Sequence, residues 1–146
     1  MPPEAMPPLC LELTWEGELR FSGRSGEAEL SLDAAQKAGP TPVQALAFGL
    51  AGCMAIDVAN ILSRGRQPLR GLHARFQGER SPTSPKRFTA ITLHFVVEGE
   101  VSPDRVERAL RLSRDTYCSV WHSMRQDILF TTTFEIRPTE GPDLIP

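Results

Sequence analysis

Gly39–Arg64 reads GPTPVQALAFGLAGCMAIDVANILSR, and the reading of this stretch decides the fold. Thr41-Pro42 is a helix start, since a hydroxyl residue suits the N-cap and proline the first helical position. The helix should run to about Ser63 and stop before Gly65. No charge interrupts Ala45–Ile56, so the run could be mistaken for a membrane span. A span needs ~20 apolar residues, whereas runs of about 10–14 are more often buried core helices, and no membrane partner is expected. Leu46, Phe48, Leu50, Met54, Ile56, Val58, Ile61 and Leu62 point nearly all round the axis. Such a helix is expected to be covered on several sides. Its small residues, Ala45, Gly49, Gly52 and Ala55, would let another backbone approach closely.

N-terminal to this helix, the pattern has period two. Leu9, Leu11, Leu13 and Trp15 alternate with Cys10, Glu12, Thr14 and Glu16, as in a half-buried strand. Leu19 and Phe21 continue a second strand after a turn at Glu16-Gly17. Arg24-Ser25-Gly26 turns into a third, with Ala28, Leu30 and Leu32 expected to face inward. The connector Asp33–Pro42 is broken by Gly39, Pro40 and Pro42. C-terminal to the helix, Leu72, Ala74 and Phe76 mark a fourth strand, SPTSPK (81–86) a loop, and Ile91, Leu93, Phe95 and Val97 a fifth strand. Ser102-Pro103-Asp104 repeats the helix-start signal. Val106, Ala109, Leu110, Ser113 and Tyr117 share the inner face of that second helix, and Arg105, Arg108, Arg111 and Arg114 its solvated side. Ile128, Phe130, Phe134 and Ile136 form a last strand, followed by a loose GPDLIP tail. The order βββ-α-ββ-α-β is α+β, one domain over 1–146 with an ordered core of about 9–137.

A chain of 146 residues can bury a real core, and 40% hydrophobic with 23% charged residues is ordinary globular composition. A formal net charge of −2 argues against general nucleic-acid binding. Met1–Leu9 is proline-rich and lacks the basic start and apolar centre of a secretory signal, so a cytoplasmic setting is expected. There, a cysteine pair is more often catalytic than a permanent staple.

Of the three cysteines, Cys53 lies within the apolar helix and Cys118 in the motif YCSVW, far apart in sequence. Each alone reads as a small packed core residue. A buried thiol resists ionisation, so Cys53 would need a cation or base brought from elsewhere, with Arg20 and Arg24 as candidates. Cys118 is expected to open a short helix whose N-terminus would lower its pKa. Asp57, one turn after Cys53, could cap a polar contact or face an interface. His73, His94 and His122 lack any zinc-site spacing, so no metal is expected. Cys10, near the terminus, carries no expectation.

GPTPVQALAFGLAGCMAIDVANILSR, ERSPTSPKRFTAITLHFVVEG and RALRLSRDTYCSVW together resemble the OsmC/Ohr superfamily of thiol-dependent hydroperoxide reductases. The resemblance runs from about Trp15 to Ile136 and lies nearest the YhfA-like branch. It implies an OsmC-like fold and an intertwined homodimer with two long central helices packed inside wrapping sheets. It also implies that Cys53 is a peroxidatic thiolate attacking an organic hydroperoxide, and that Cys118 resolves it as a disulfide. An external dithiol would then reduce the disulfide, with no bound cofactor. Active members pair an arginine of the N-terminal meander with a glutamate near the helix start. Here Arg20 or Arg24 would be that arginine, and Val43 or Gln44 stands at the glutamate position. The alternatives are a dimeric binding protein for a small apolar ligand, favoured by Gln44 and the apolar helix, and a redox-responsive partner protein.

Overall fold

The computed structural model describes residues 2–138. The GPDLIP tail lies outside them. The chain forms two compact units, one ending at Ala47 and the other beginning at Phe48.

The first unit is the expected meander. Strands β1 (Glu12–Trp15), β2 (Arg20–Ser25) and β3 (Ala28–Asp33) pair antiparallel in that order. The first strand begins at Glu12, not Leu9. Leu11, Leu13, Trp15 and Leu30, expected to face inward, are exposed. The reason is geometric: three strands make one layer, and this unit supplies no second layer to cover a face. The connector after β3 is ordered by Asp33, whose carboxylate accepts from the backbone N–H groups of Ala35, Lys37 and Ala38 at 2.9, 3.2 and 3.0 Å. Gly39 passes so close to β3 that a Cβ there would lie 2.1 Å from the Ser31 carbonyl oxygen, so only glycine fits.

Helix α1 spans Pro42–Arg64. Its start is a capping box: Gln44 N–H donates to Thr41 Oγ1 at 3.1 Å, and Thr41 N–H donates to Gln44 Oε1 at 3.0 Å. Leu50, Met54, Val58 and Leu62 form one buried stripe at the four-residue spacing of a single helical face. The opposite side is open, with Ile56 70% exposed, so among the described residues of one chain the cover expected on several sides is absent. By length and composition alone these 23 residues could cross a membrane. The buried stripe is instead that of a helix packed on its own protein.

In the second unit, β4 (Gly71–Arg80), β5 (Phe88–Glu98) and β6 (Leu129–Arg137) form a sheet in sequence order. Ile91, Leu93, Phe95 and Val97 of the central strand β5 are buried, as their alternation predicts. The β4–β5 pair is antiparallel and β5–β6 is parallel. A parallel neighbour requires a long crossover, and the crossover is helical. It comprises α2 (Pro103–Leu112), a π-helical turn (Ser113–Tyr117) and α3 (Ser119–His122). Proline does open α2, but the Ser102 hydroxyl makes no cap bond. Instead Ser102 N–H donates to Gln67 Oε1 at 3.0 Å. Val106, Ala109, Leu110 and Ser113 are buried as expected, whereas Tyr117 is 57% exposed. The π-turn explains this. It adds a residue to the turn, so the inward place that Tyr117 would take in an unbroken α-helix passes to Cys118. Of the four arginines, Arg105, Arg108 and Arg111 are exposed, and Arg114 stacks its guanidinium over the Phe130 ring at 5.2 Å.

Candidate active site

On α1, Cys53 and Asp57 stand one turn apart along the same flank, both half-buried. The π-turn faces that flank. Ser113, fully buried, donates its hydroxyl to Asp57 Oδ2 at 2.8 Å. The Ser113 carbonyl accepts the N–H of Cys118 at 2.7 Å, closing the wide turn. Cys118 is fully buried, and its sulfur accepts the N–H of Trp121 at 3.4 Å. The Trp121 ring in turn lies 4.4 Å from that of Phe130 on β6. Beside it, α3 approaches α1 at Gly49, where a Cβ would sit 4.0 Å from Val120 Cγ1. The close backbone approach expected at the small residues is not seen at Gly49, where the neighbour is a side chain at ordinary van der Waals distance. At Gly52 nothing lies within 4 Å.

The fold therefore makes Cys53 a hydrogen-bonding neighbour of Cys118, with both as free thiols. Burial pushes the Cys118 thiol up to about 11. The Trp121 N–H opposes that rise, while Cys53, as hydrogen-bonding and charged neighbour, and the Asp57 carboxylate add to it. Cys118 does open a short helix, but the expected acidification does not follow. A four-residue helix offers the sulfur one N–H, and desolvation outweighs it. Near neutral pH, Cys118 keeps its proton and can donate it toward the Cys53 sulfur, which is the more accessible of the two.

The other candidates lie in the first unit. Arg20 is paired with Asp33, Nε to Oδ2 at 3.5 Å, and with Glu18 at 3.8 Å. Asp33 is held below the usual carboxylate range, chiefly by the N–H groups of Ala38 and Ala35. Arg24 forms an ion pair with Glu29. The Gln44 side chain is engaged in the capping box and donates to Gln36 Oε1 at 2.9 Å. Of the histidines, His94 contacts Thr133 Oγ1 at 2.8 Å and Glu135 Oε1 at 3.2 Å. His122 contacts the Arg114 carbonyl at 2.9 Å. Among the described residues, no three His, Cys, Asp or Glu side chains gather as metal ligands would.

Residues 34–133 match the family described as OsmC-like protein. The chain belongs to the OsmC-like family. Protein YhfA of Escherichia coli K12 is 35% identical over 126 residues, covering 84% of this chain and 93% of that protein. A hypothetical protein of Aquifex aeolicus VF5 shares the fold with a TM-score of 0.85 at 25% identity, covering 92% of this chain and 100% of its own. The organic hydroperoxide resistance protein OsmC of Legionella pneumophila has a TM-score of 0.65 at 14% identity, covering 90% and 98%. That last likeness is one of fold. In this OsmC-like chain, the sequence reading passed over Ser113 and Trp121 as site residues. No signal marked Ser113, because its place one π-turn before Cys118 depends on a turn that residue types do not announce.

Proposed function

We propose that this OsmC-like chain is a cytoplasmic thiol peroxidase that reduces organic hydroperoxides through Cys53 and Cys118. The observation that carries the reading is the pairing of a half-buried thiol with a fully buried one that holds its proton. The Cys53 thiolate attacks the distal oxygen of ROOH, and the O–O bond breaks. The departing RO⁻ takes a proton to leave as ROH, and Cys53 becomes a sulfenic acid. The Cys118 sulfur then displaces hydroxide from that sulfenic sulfur. Its thiol proton goes with the hydroxide as water, and a disulfide forms. An external dithiol restores both thiols by exchange. A homodimer suits the same reading, since the open side of α1 and the uncovered apolar residues of the meander would find their cover in a second copy.

The decisive assay is steady-state turnover of cumene hydroperoxide with a dithiol reductant. Cys53→Ser should abolish turnover. Cys118→Ser should retain one stoichiometric reduction while losing multiple turnover. Undiminished turnover in Cys53→Ser would sink the reading.

One observation favours a second reading, a dimeric binding protein for a small apolar ligand with its cysteines kept reduced. Val43 or Gln44 stands at the family's glutamate position, both are uncharged, and Gln44 is engaged in the helix cap. A small molecule retained in native mass spectrometry, together with absent turnover, would favour that reading over the first.

A further inference from the structure

We propose that Asp57 and Ser113 are positioning residues for the thiol pair: their hydrogen bond locks the π-turn against α1 and thereby presents Cys118 to Cys53. The proposal deepens the peroxidase reading and rests on it for its biological purpose.

The geometry is that of two rungs. Cys53 and Asp57 are one α-turn apart on α1, and Ser113 and Cys118 are one π-turn apart on the crossover. A four-residue step on one element is thus set against a five-residue step on the other. Asp57 meets Ser113 on one rung at 2.8 Å, and Cys53 meets Cys118 on the next. The turn needs such an anchor, because π-helical turns are rare and in a continued α-helix Cys118 would lose its inward place. One end of the turn is tied to α1 by the Ser113 hydroxyl. The other end is tied to Ser113 by the Cys118 N–H. The bond needs an acceptor oxygen at position 57, and without it the buried Ser113 hydroxyl would be left unsatisfied.

Asp57 has no evident task as an activator. The Asp57 carboxylate pushes the Cys118 thiol up and so does not activate that sulfur. Its oxygen, and not its charge, is what this arrangement uses.

The test uses the full chain carrying Cys10→Ser, equilibrated in glutathione redox buffers. Both thiols are oxidised to the Cys53–Cys118 disulfide while glutathione disulfide is reduced to two glutathione thiols. The disulfide fraction, read by acid quench, alkylation and mass spectrometry, gives the effective concentration of one sulfur for the other. Ser113→Ala and Asp57→Ala should each lower it at least tenfold. Asp57→Asn, which keeps the acceptor oxygen, should stay within threefold of the parent. In a Cys118→Ser background, the rate of Cys53 sulfenic acid formation with cumene hydroperoxide should change less than twofold on Asp57→Ala.

Parent-level effective concentration in both alanine variants overturns the lock, as does Asp57→Asn falling as far as Asp57→Ala. A parent that forms the disulfide with glutathione but is not oxidised by hydroperoxide overturns the peroxidase reading and leaves the lock standing. A parent that forms it in neither medium overturns both.

Discussion

Cys53 and Cys118 carry the same side chain in unlike surroundings, and the difference is one of water. Cys118 has none of its surface exposed, and its thiol is pushed up to about 11, so its neutral form is favoured by folding. The sign follows: a group whose pKa rises on folding contributes stability in full below its unfolded value, near 9. That contribution is lost as pH climbs through the folded value. We predict that the stability difference between the parent and Cys118→Ala shrinks as pH rises from 9 to 11. The expected scale is about 1.4 kcal/mol per unit of separation between the two pKa values. Chemical denaturation across that range measures it, and a pH-independent difference would refute the assignment. The sequence located both cysteines but not the sense of this shift. A helix N-terminus is visible in sequence, whereas desolvation depends on what the fold stacks over the sulfur, here the α3 turn carrying Trp121.

At the scale of elements, periodicity made strands and helices readable because in each the apolar residues recur on one regular face. The α1 start at Thr41-Pro42 and the inner face of β5 follow from residue type alone. The π-turn did not, since Ser113–Tyr117 (SRDTY) contains nothing that distinguishes a five-residue turn from a four-residue one. The parallel partner of β6 was equally hidden, because alternation reports a face and not a direction. Gly49 tests how α1 and α3 are spaced. A Cβ there would meet Val120 only at ordinary van der Waals distance, so Gly49→Ala should fit. It should stabilise the chain by about 0.5–1 kcal/mol through helix propensity. Gly49→Leu should instead push α3 away and slow disulfide formation between Cys53 and Cys118. Thermal melts and quenched alkylation report the two outcomes, and equal behaviour of both variants would count against this packing.

For the whole molecule, the informative quantity is what one chain leaves uncovered. Ile56 and Phe48 on α1, with Leu11, Leu13 and Trp15 of the meander, are large apolar side chains in contact with solvent. The all-round apolar character of α1 was legible in the sequence. Which sides its own chain would leave open was not, because composition does not say whether cover comes from the same copy or another. If two copies supply that cover, Ile56→Glu should convert a dimer to a monomer in light scattering coupled to gel filtration. Its secondary structure should stay intact, since the residue is 70% exposed in one chain. A dimer that persists unchanged would exclude this face as the interface.

The parallel pairing of β6 also bears on the order of assembly. The β4–β5 hairpin closes between neighbours in sequence, but β6 must wait for the whole crossover to form, and distant pairings are slow. Phe130, on that late strand, is the ring on which Trp121 rests, and Trp121 supplies the N–H that holds the Cys118 sulfur. Holding the thiol pair in register therefore depends on β6 being in place. A partly folded chain would carry both sulfurs without yet holding them in register, so competence for disulfide chemistry would arrive with the final strand.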